Sequence, residues 1–365
     1  MSGRPVYLSA PGVICAAGSS VQALRISAVS GSQKGILLLP ADHDGGEAAS
    51  GTHYAGLVEE PLARHAKELS APRSLLLAQK AVQQLGEAAA AARDRYGADR
   101  IAVCACSDIR CDTAAQLSGR FKLTGPVWEC FAPLDSAAGA IIQAAEFIRA
   151  GKADAAIAGG AGSIPGCSGE AVRGLINPFS RNRCGTTYGE GAAFFLLTAE
   201  AAAGMKTDSD VPVQLRAWSS VRTDGDGADT AGMRQAIDAA HADAVGYVNL
   251  HGSGIPDCDA MEAAAAAAVF GTDVPMSGTK PLTGYVPGAA GALELSFCYA
   301  ALTAPDGALP VHVWDYCADA GLPRLNLHAV GMYERSMNDR TSRGLCVYAC
   351  HTICAGSAQT LVISR

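Results

Sequence analysis

Two stretches decide how the rest of the chain is read: Val248-Asn249-Leu250-His251-Gly252-Ser253-Gly254-Ile255-Pro256-Asp257-Cys258-Asp259 and, further on, Ser277-Gly278-Thr279-Lys280-Pro281-Leu282-Thr283-Gly284-Tyr285-Val286-Pro287-Gly288-Ala289-Ala290-Gly291. In the first, Val248 to Leu250 reads as a strand and Met261 to Val269 as the helix beyond the loop. After the second, Ala289 to Leu302 reads as a helix. Two earlier stretches have a similar character. Pro133-Leu134-Asp135-Ser136-Ala137-Ala138-Gly139-Ala140 is a strand end running into a helix of small residues. That arrangement sets a residue at a helix N-terminus, where the dipole and free amides lower a thiol pKa or hold an oxyanion. Asn177-Pro178-Phe179-Ser180-Arg181-Asn182-Arg183-Cys184-Gly185 leads on to Tyr188-Gly189-Glu190-Gly191-Ala192-Ala193.

Outward from these anchors the chain alternates. Val6 to Ser9 and Gly12 to Cys15 read as an opening strand and turn, and Leu75 to Arg95 as one long helix stopped by Gly97. Ile101 to Cys104 and Pro126 to Phe131 are strands, and Ala137 to Ala150 is a helix ended by Gly151. Ala153 to Gly159 and Gly191 to Leu197 are strands. Residues 31–72 are mixed, with a loop at Asp42-His43-Asp44-Gly45-Gly46. The polar stretch from Gly204 to Asp210 breaks the pattern. It then restarts with a strand at Val213 to Leu215, a helix at Met233 to Ala244, and strands at Gly344 to Cys350 and Thr360 to Ser364. The expected organisation is α/β, in two successive halves of similar size, residues 1–203 and 211–365, with largely parallel or mixed sheets covered by helices.

Composition bounds the function. The chain has 365 residues, 49% of them apolar and only 17% charged, which is ample material for a deep core. With 28 basic against 35 acidic side chains the net charge is −7, and no basic run appears, so nucleic acid is not an expected partner. No charged-then-apolar leader and no long apolar run occur, which points to the cytoplasm and away from membrane insertion. The 13 cysteines are odd in number, lack a CxxC pair and sit mostly in apolar runs. Buried reduced thiols are expected, with no disulfide framework, metal or organic cofactor.

Taken in order, the four stretches resemble those of the β-ketoacyl-acyl-carrier-protein synthases, the ketosynthases of the thiolase-like fold. The histidine loop is similar to Asn249 to Ser253, and the lysine, Thr-Gly-His and Gly-Ala-Ala-Gly loop to Thr279 to Gly291. The block ending in Gly-Glu-Gly-Ala is similar to Asn177 to Ala192, and the strand after the nucleophile helix to Ala153 to Ala161. The resemblance implies a thiolase-like duplicated αβαβα layered fold. It also implies a chemistry in which a cysteine thiolate takes an acyl chain from a carrier-protein thioester. Two histidines and a lysine then support the decarboxylation of malonyl-carrier protein.

At the decisive points the sequence departs from that pattern. Counting back along the helix from Gly151, the cysteine position falls on Leu134, whose side chain cannot form a thioester, and the second histidine is Tyr285. His251 and Lys280 remain, and Glu262 is the acidic residue expected to join the lysine in a buried polar network. Thr352-Ile353-Cys354-Ala355-Gly356 stands where a glycine-phenylalanine-glycine-glycine loop is expected. Ser136 and Cys130 are the nearest candidate nucleophiles, and Asp135 reads as a helix-start carboxylate. Ketosynthase-like chains without the cysteine resemble the chain-length factors of type II polyketide systems, and the compactness here is closest to those of aryl-polyene systems. The resemblance implies a subunit, non-catalytic by itself, of a heterodimer with an active ketosynthase, served by an acyl carrier protein and its phosphopantetheine-linked chain. Residues 126–131 would pair across the two-fold, and Trp128, Phe131, Cys106 and Ile109 would wall the acyl tunnel. The alternative is a divergent condensing enzyme using another nucleophile.

Overall fold

A computed structural model describes residues 4–40, 52–59, 71–132, 136–164, 174–201, 212–222, 228–240, 245–329, 347–354 and 357–365. Ten of its strands fall into two sets of five. The first is β1 (Tyr7–Leu8), β5 (Ile101–Ser107), β6 (Val127–Phe131), β7 (Ala155–Gly162) and β8 (Gly191–Thr198); the second is β9 (Val213–Arg222), β10 (Tyr247–Leu250), β11 (Met276–Gly278), β12 (Val347–Cys354) and β13 (Ser357–Ser364). Sheet order is β1-β8-β7-β5-β6 in one set and β9-β13-β12-β10-β11 in the other, so both follow one connectivity. Directions match too: β5 runs parallel to β6 and β7, as β10 does to β11 and β12, and β8 and β13 are antiparallel to their neighbours. The duplication suggested by the alternation is therefore written in the topology. Antiparallel pairing of β1 with β9 fuses the halves into an 11-stranded sheet, which β2 (Gly12–Cys15) joins on β8.

Helices cover this sheet because its central strands are apolar on both faces. Along β5, Ala102, Cys104 and Cys106 pack into the central core, while Ile101, Val103 and Ala105 pack into a second core on the other side. That alternation is the two-residue period of a strand. The central layer holds α5 (Ala137–Arg149) and α9 (Ala292–Leu302), and every residue of α9 is buried. Outside the first half lie α2 (Arg73–Gln83), α3 (Gly86–Tyr96) and α4 (Thr113–Phe121). Outside the second lie α6 (Ala228–Ala240) and α7 (Pro256–Phe270). Outer helices, sheet, central helices, sheet and outer helices give the expected αβαβα order.

Several expectations need correction. The helix expected over Leu75 to Arg95 is two helices, α2 and α3. It breaks at Gln84, whose side-chain amide bonds both the N–H and the carbonyl of Val13. Three elements lie where no pattern was read: α1 (Val21–Ser30), α4, and the hairpin of β3 (Ile36–Pro40) with β4 (Thr52–Gly56). Of the strand expected over Gly344 to Cys350, Val347 onward is β12 and residues 344–346 lie outside the described residues. The polar stretch at 204–210 lies outside them.

Candidate functional site

In both halves the C-terminal ends of the parallel strands point at one region, the usual location for ligands in α/β sheets. His251 follows β10 and Asp108 follows β5, at equivalent places in the repeat. Each accepts a backbone N–H near the end of the neighbouring parallel strand. Ile353 donates to His251 Nδ1 at 3.2 Å, and Ser163 to Asp108 Oδ2 at 2.6 Å. The halves approach closely because glycines stand where they meet. A Cβ on Gly288 would lie 2.1 Å from Ala161 O, and one on Gly291, whose φ is +85°, would lie 2.5 Å from Ala138 Cβ.

The centre of the site is a buried chain of polar groups. Lys280, fully buried, donates from Nζ to Glu294 Oε1 at 2.7 Å and to the His251 carbonyl at 2.6 Å, and stands 3.3 Å from His251 Nδ1. Glu294 Oε2 accepts the Gly291 N–H at 2.6 Å and so holds the first turn of α9. Glu262 joins this buried network by way of the histidine loop. Its carboxylate accepts the N–H groups of His251 and Gly252 at 2.5 and 2.8 Å and shapes the histidine loop, while Glu294 is the lysine's counter-ion. Glu294 was missed in the sequence, although Gly291-Ala292-Leu293-Glu294 has the spacing of a helix-start carboxylate.

Burial first, then the charges of Lys280 and His351, hold the His251 pKa well below the usual histidine value, so the ring is neutral. Because Nδ1 accepts from Ile353, the proton is assigned to Nε2. Tyr285 stands over this pair. Its ring meets that of His251 edge-to-face at 5.6 Å and lies 5.4 Å from Lys280 Nζ, with Tyr188 6.0 Å away on the same ring. The structure thus brings His251, Lys280 and Tyr285 together, with Glu262 one layer behind.

Leu134 and Asp135 lie outside the described residues, but their flanks are clear. The cap of α5 is Ser136, whose Oγ accepts the Ala138 N–H at 3.1 Å and donates to Gln359 Oε1 at 2.5 Å. An amide oxygen is no general base, so this hydroxyl is committed to structure. Cys130 is buried in β6 with its Sγ directed at the Ser136 carbonyl, 3.7 Å away. Burial pushes the thiols of Cys15 and Cys104 up to about 12, and contact with Cys298 together with burial raises that of Cys350. None of these is an activated nucleophile. The four tunnel candidates divide. Trp128 and Cys106 pack towards the central helices, Cys106 fully buried. Phe131 lies on the opposite face of β6 under the guanidinium of Arg110, 4.4 Å from its ring centroid, and Ile109 is 40% exposed.

The descriptions "Beta-ketoacyl synthase, N-terminal domain" and "Beta-ketoacyl synthase, C-terminal domain" match residues 80–203 and 212–312, together more than half of the chain. The chain belongs to the β-ketoacyl synthase family. Among curated relatives it is 32% identical over 215 residues to nodulation protein E of Rhizobium sp. (strain N33), covering 54% of this chain and 53% of that protein. It is 30% identical over 213 residues to the tetracenomycin polyketide synthase ketoacyl synthase alpha subunit of Streptomyces glaucescens, covering 51% and 49%. The match thus spans about half the length of the curated relatives. A chain of the ketosynthase ApeO in complex with its chain length factor ApeC, from Xenorhabdus doucetiae, superimposes with a TM-score of 0.84 at 24% identity, covering 99% of this chain and 98% of that one. That likeness gives the fold, a thiolase-like ketosynthase fold. No helix among the described residues is long and apolar enough to cross a membrane.

A second buried histidine is expected to make the fold sensitive to acid. His312 Nδ1 accepts the Gly278 N–H at 3.1 Å, its Nε2 lies 3.2 Å from the Pro178 carbonyl, and burial lowers its pKa from 6.5 to about 4. The unfolded chain takes up a proton that the folded one refuses. Stability is therefore fully present above pH 6.5 and is lost as pH falls from there towards 4, by about 3 kcal/mol for this group. Urea unfolding at pH 7.5, 6 and 5 should show this loss, and His312→Gln should flatten the slope between the same pH values. An unchanged slope in that variant would mean that His312 is already charged in the fold.

Proposed function

We propose that the chain is the non-catalytic, chain-length-factor-like subunit of a two-subunit β-ketoacyl synthase, working beside an active ketosynthase on acyl chains carried as carrier-protein thioesters. One observation carries this reading. The sequence between β6 and α5, Ala132-Pro133-Leu134-Asp135-Ser136, contains no thiol, and the flanking Cys130 and Ser136 are both committed to backbone and amide partners. Without a covalent acceptor the remaining His251 has no acyl-enzyme to serve, and the loss of a nucleophile costs about as much as the loss of a whole catalytic unit. The curated relatives and the solved ketosynthase–chain length factor complex support the biosynthetic setting.

The geometry also favours a partner at β6. It is the terminal strand of the sheet and, among the described residues, its outer edge is unpaired. Val127 on this strand is 47% exposed, and Ile109, in the loop after β5, is 40% exposed. A partner's matching strand would continue the sheet and cover them. Co-expression with a candidate ketosynthase should yield a stable 1:1 complex, and recovery of the two proteins separately would count against the proposal.

In that complex, Phe131→Ala and Trp128→Ala test the two faces of β6 separately. Release of length control by at least one of them, read as longer products by mass spectrometry, is the expected result. Unchanged lengths from both would remove the tunnel from this strand.

A further inference from the structure

We infer that Tyr285 is a built-in plug which keeps acyl thioesters out of this subunit's own site, leaving the partner's site as the one that takes them; this rests on the non-catalytic reading above. The ring packs against His251, the member of this cluster that, among the described residues, still has a donor to offer a ligand. Lys280 is committed to Glu294 and to the His251 loop, and His251 Nδ1 is committed to Ile353. That leaves the His251 Nε2–H, and the Tyr285 ring packs edge-to-face with this imidazole at 5.6 Å.

The plug is held in place from both ends. Its backbone N–H donates to the Thr187 carbonyl at 2.7 Å, and its own carbonyl accepts the Gly189 N–H at 2.9 Å. Tyr188 packs on the ring, and Lys280 lies within cation–π distance of it at 5.4 Å. An aromatic ring next to an ammonium and an imidazole partly compensates their desolvation. Remove the ring, and the vacated space opens on the His251 Nε2–H. That donor suits the carbonyl oxygen of a short acyl thioester.

The test uses S-acetyl-pantetheine as probe, with calorimetric titration and the ring resonances of His251 as readouts. Tyr285→Ala should bind the probe at least about tenfold more tightly than the parent chain and shift the His251 resonances. Tyr285→Phe, which keeps the ring, should behave as the parent. Adding His251→Ala to Tyr285→Ala should abolish the gain. Tyr285→Leu provides a second opening if the alanine variant is too unstable to titrate. Equal affinity in parent and folded opened variants would overturn the plug. Failure of the non-catalytic reading would look different, as acyl transfer onto the parent chain.

Discussion

Replacing Lys280 with methionine is expected to destabilise the fold by about 3–5 kcal/mol, because it leaves the Glu294 carboxylate buried without its counter-ion. Lys280 and Glu294 are both nearly inaccessible, with side-chain exposures of 1% and 4%, and their contact is 2.7 Å. The penalty comes mainly from the stranded charge rather than from the attraction lost. The double variant Lys280→Met, Glu294→Leu should therefore recover much of the stability, less the hydrogen bonds to the His251 carbonyl and the Gly291 N–H. Urea denaturation of the three proteins gives the comparison. If the single substitution costs less than about 1 kcal/mol, the ammonium and carboxylate are not the brace described above. Lys280 then has a structural role of its own. It ties the histidine loop, the lysine loop and the start of α9 into one unit.

A cysteine at position 134 should not by itself restore robust condensation, because Tyr285 is still in place. The thiol would restore the missing covalent acceptor, but the thioester would still have to pass Tyr285. Extension needs more, since in the family that the sequence resembles two donors meet the charge that develops on the malonyl thioester oxygen, and by that resemblance Tyr285 stands where the second would be. Loss of one such donor costs about 10²–10³ in rate. Leu134→Cys alone should therefore extend at least about 100-fold more slowly than Leu134→Cys, Tyr285→His. Product formation from malonyl-carrier protein, followed by mass spectrometry, checks both variants. Equal rates in the two would show that Tyr285 is no obstacle.

The fold was largely legible because its strands are unusually uniform. Ile101 to Ser107, Ala155 to Gly162 and Gly191 to Thr198 are buried along their whole length, and sequence shows this as unbroken apolar or small-residue runs. What escaped was decided by distant partners. The break at Gln84 depends on Val13, and α4 begins at an Asp112 that does not cap it. The cap is supplied by Glu129 of β6, whose carboxylate accepts the Thr113 N–H at 2.7 Å. The start of α1 had a local signal in Ser20 and its end in Gly31, with φ +67°, but its mixed surface masks the helical period.

The site divides in the same way. His251, Lys280 and Tyr285 could be singled out from loop motifs because strand ends fix where loops go. The roles of Glu262 and Glu294 could not, since both lie on helices near the same buried loop and only the folded geometry shows which carboxylate meets the ammonium. The Ser136–Gln359 contact joins residues from the two halves and had no sequence signal.

The most direct test of the central claim is intact-mass spectrometry of this polypeptide after incubation with acyl-loaded carrier protein, first alone and then with its ketosynthase partner. Acyl mass should appear on the partner only, with this chain unmodified throughout turnover. A thioester-linked acyl group on this chain would contradict the account.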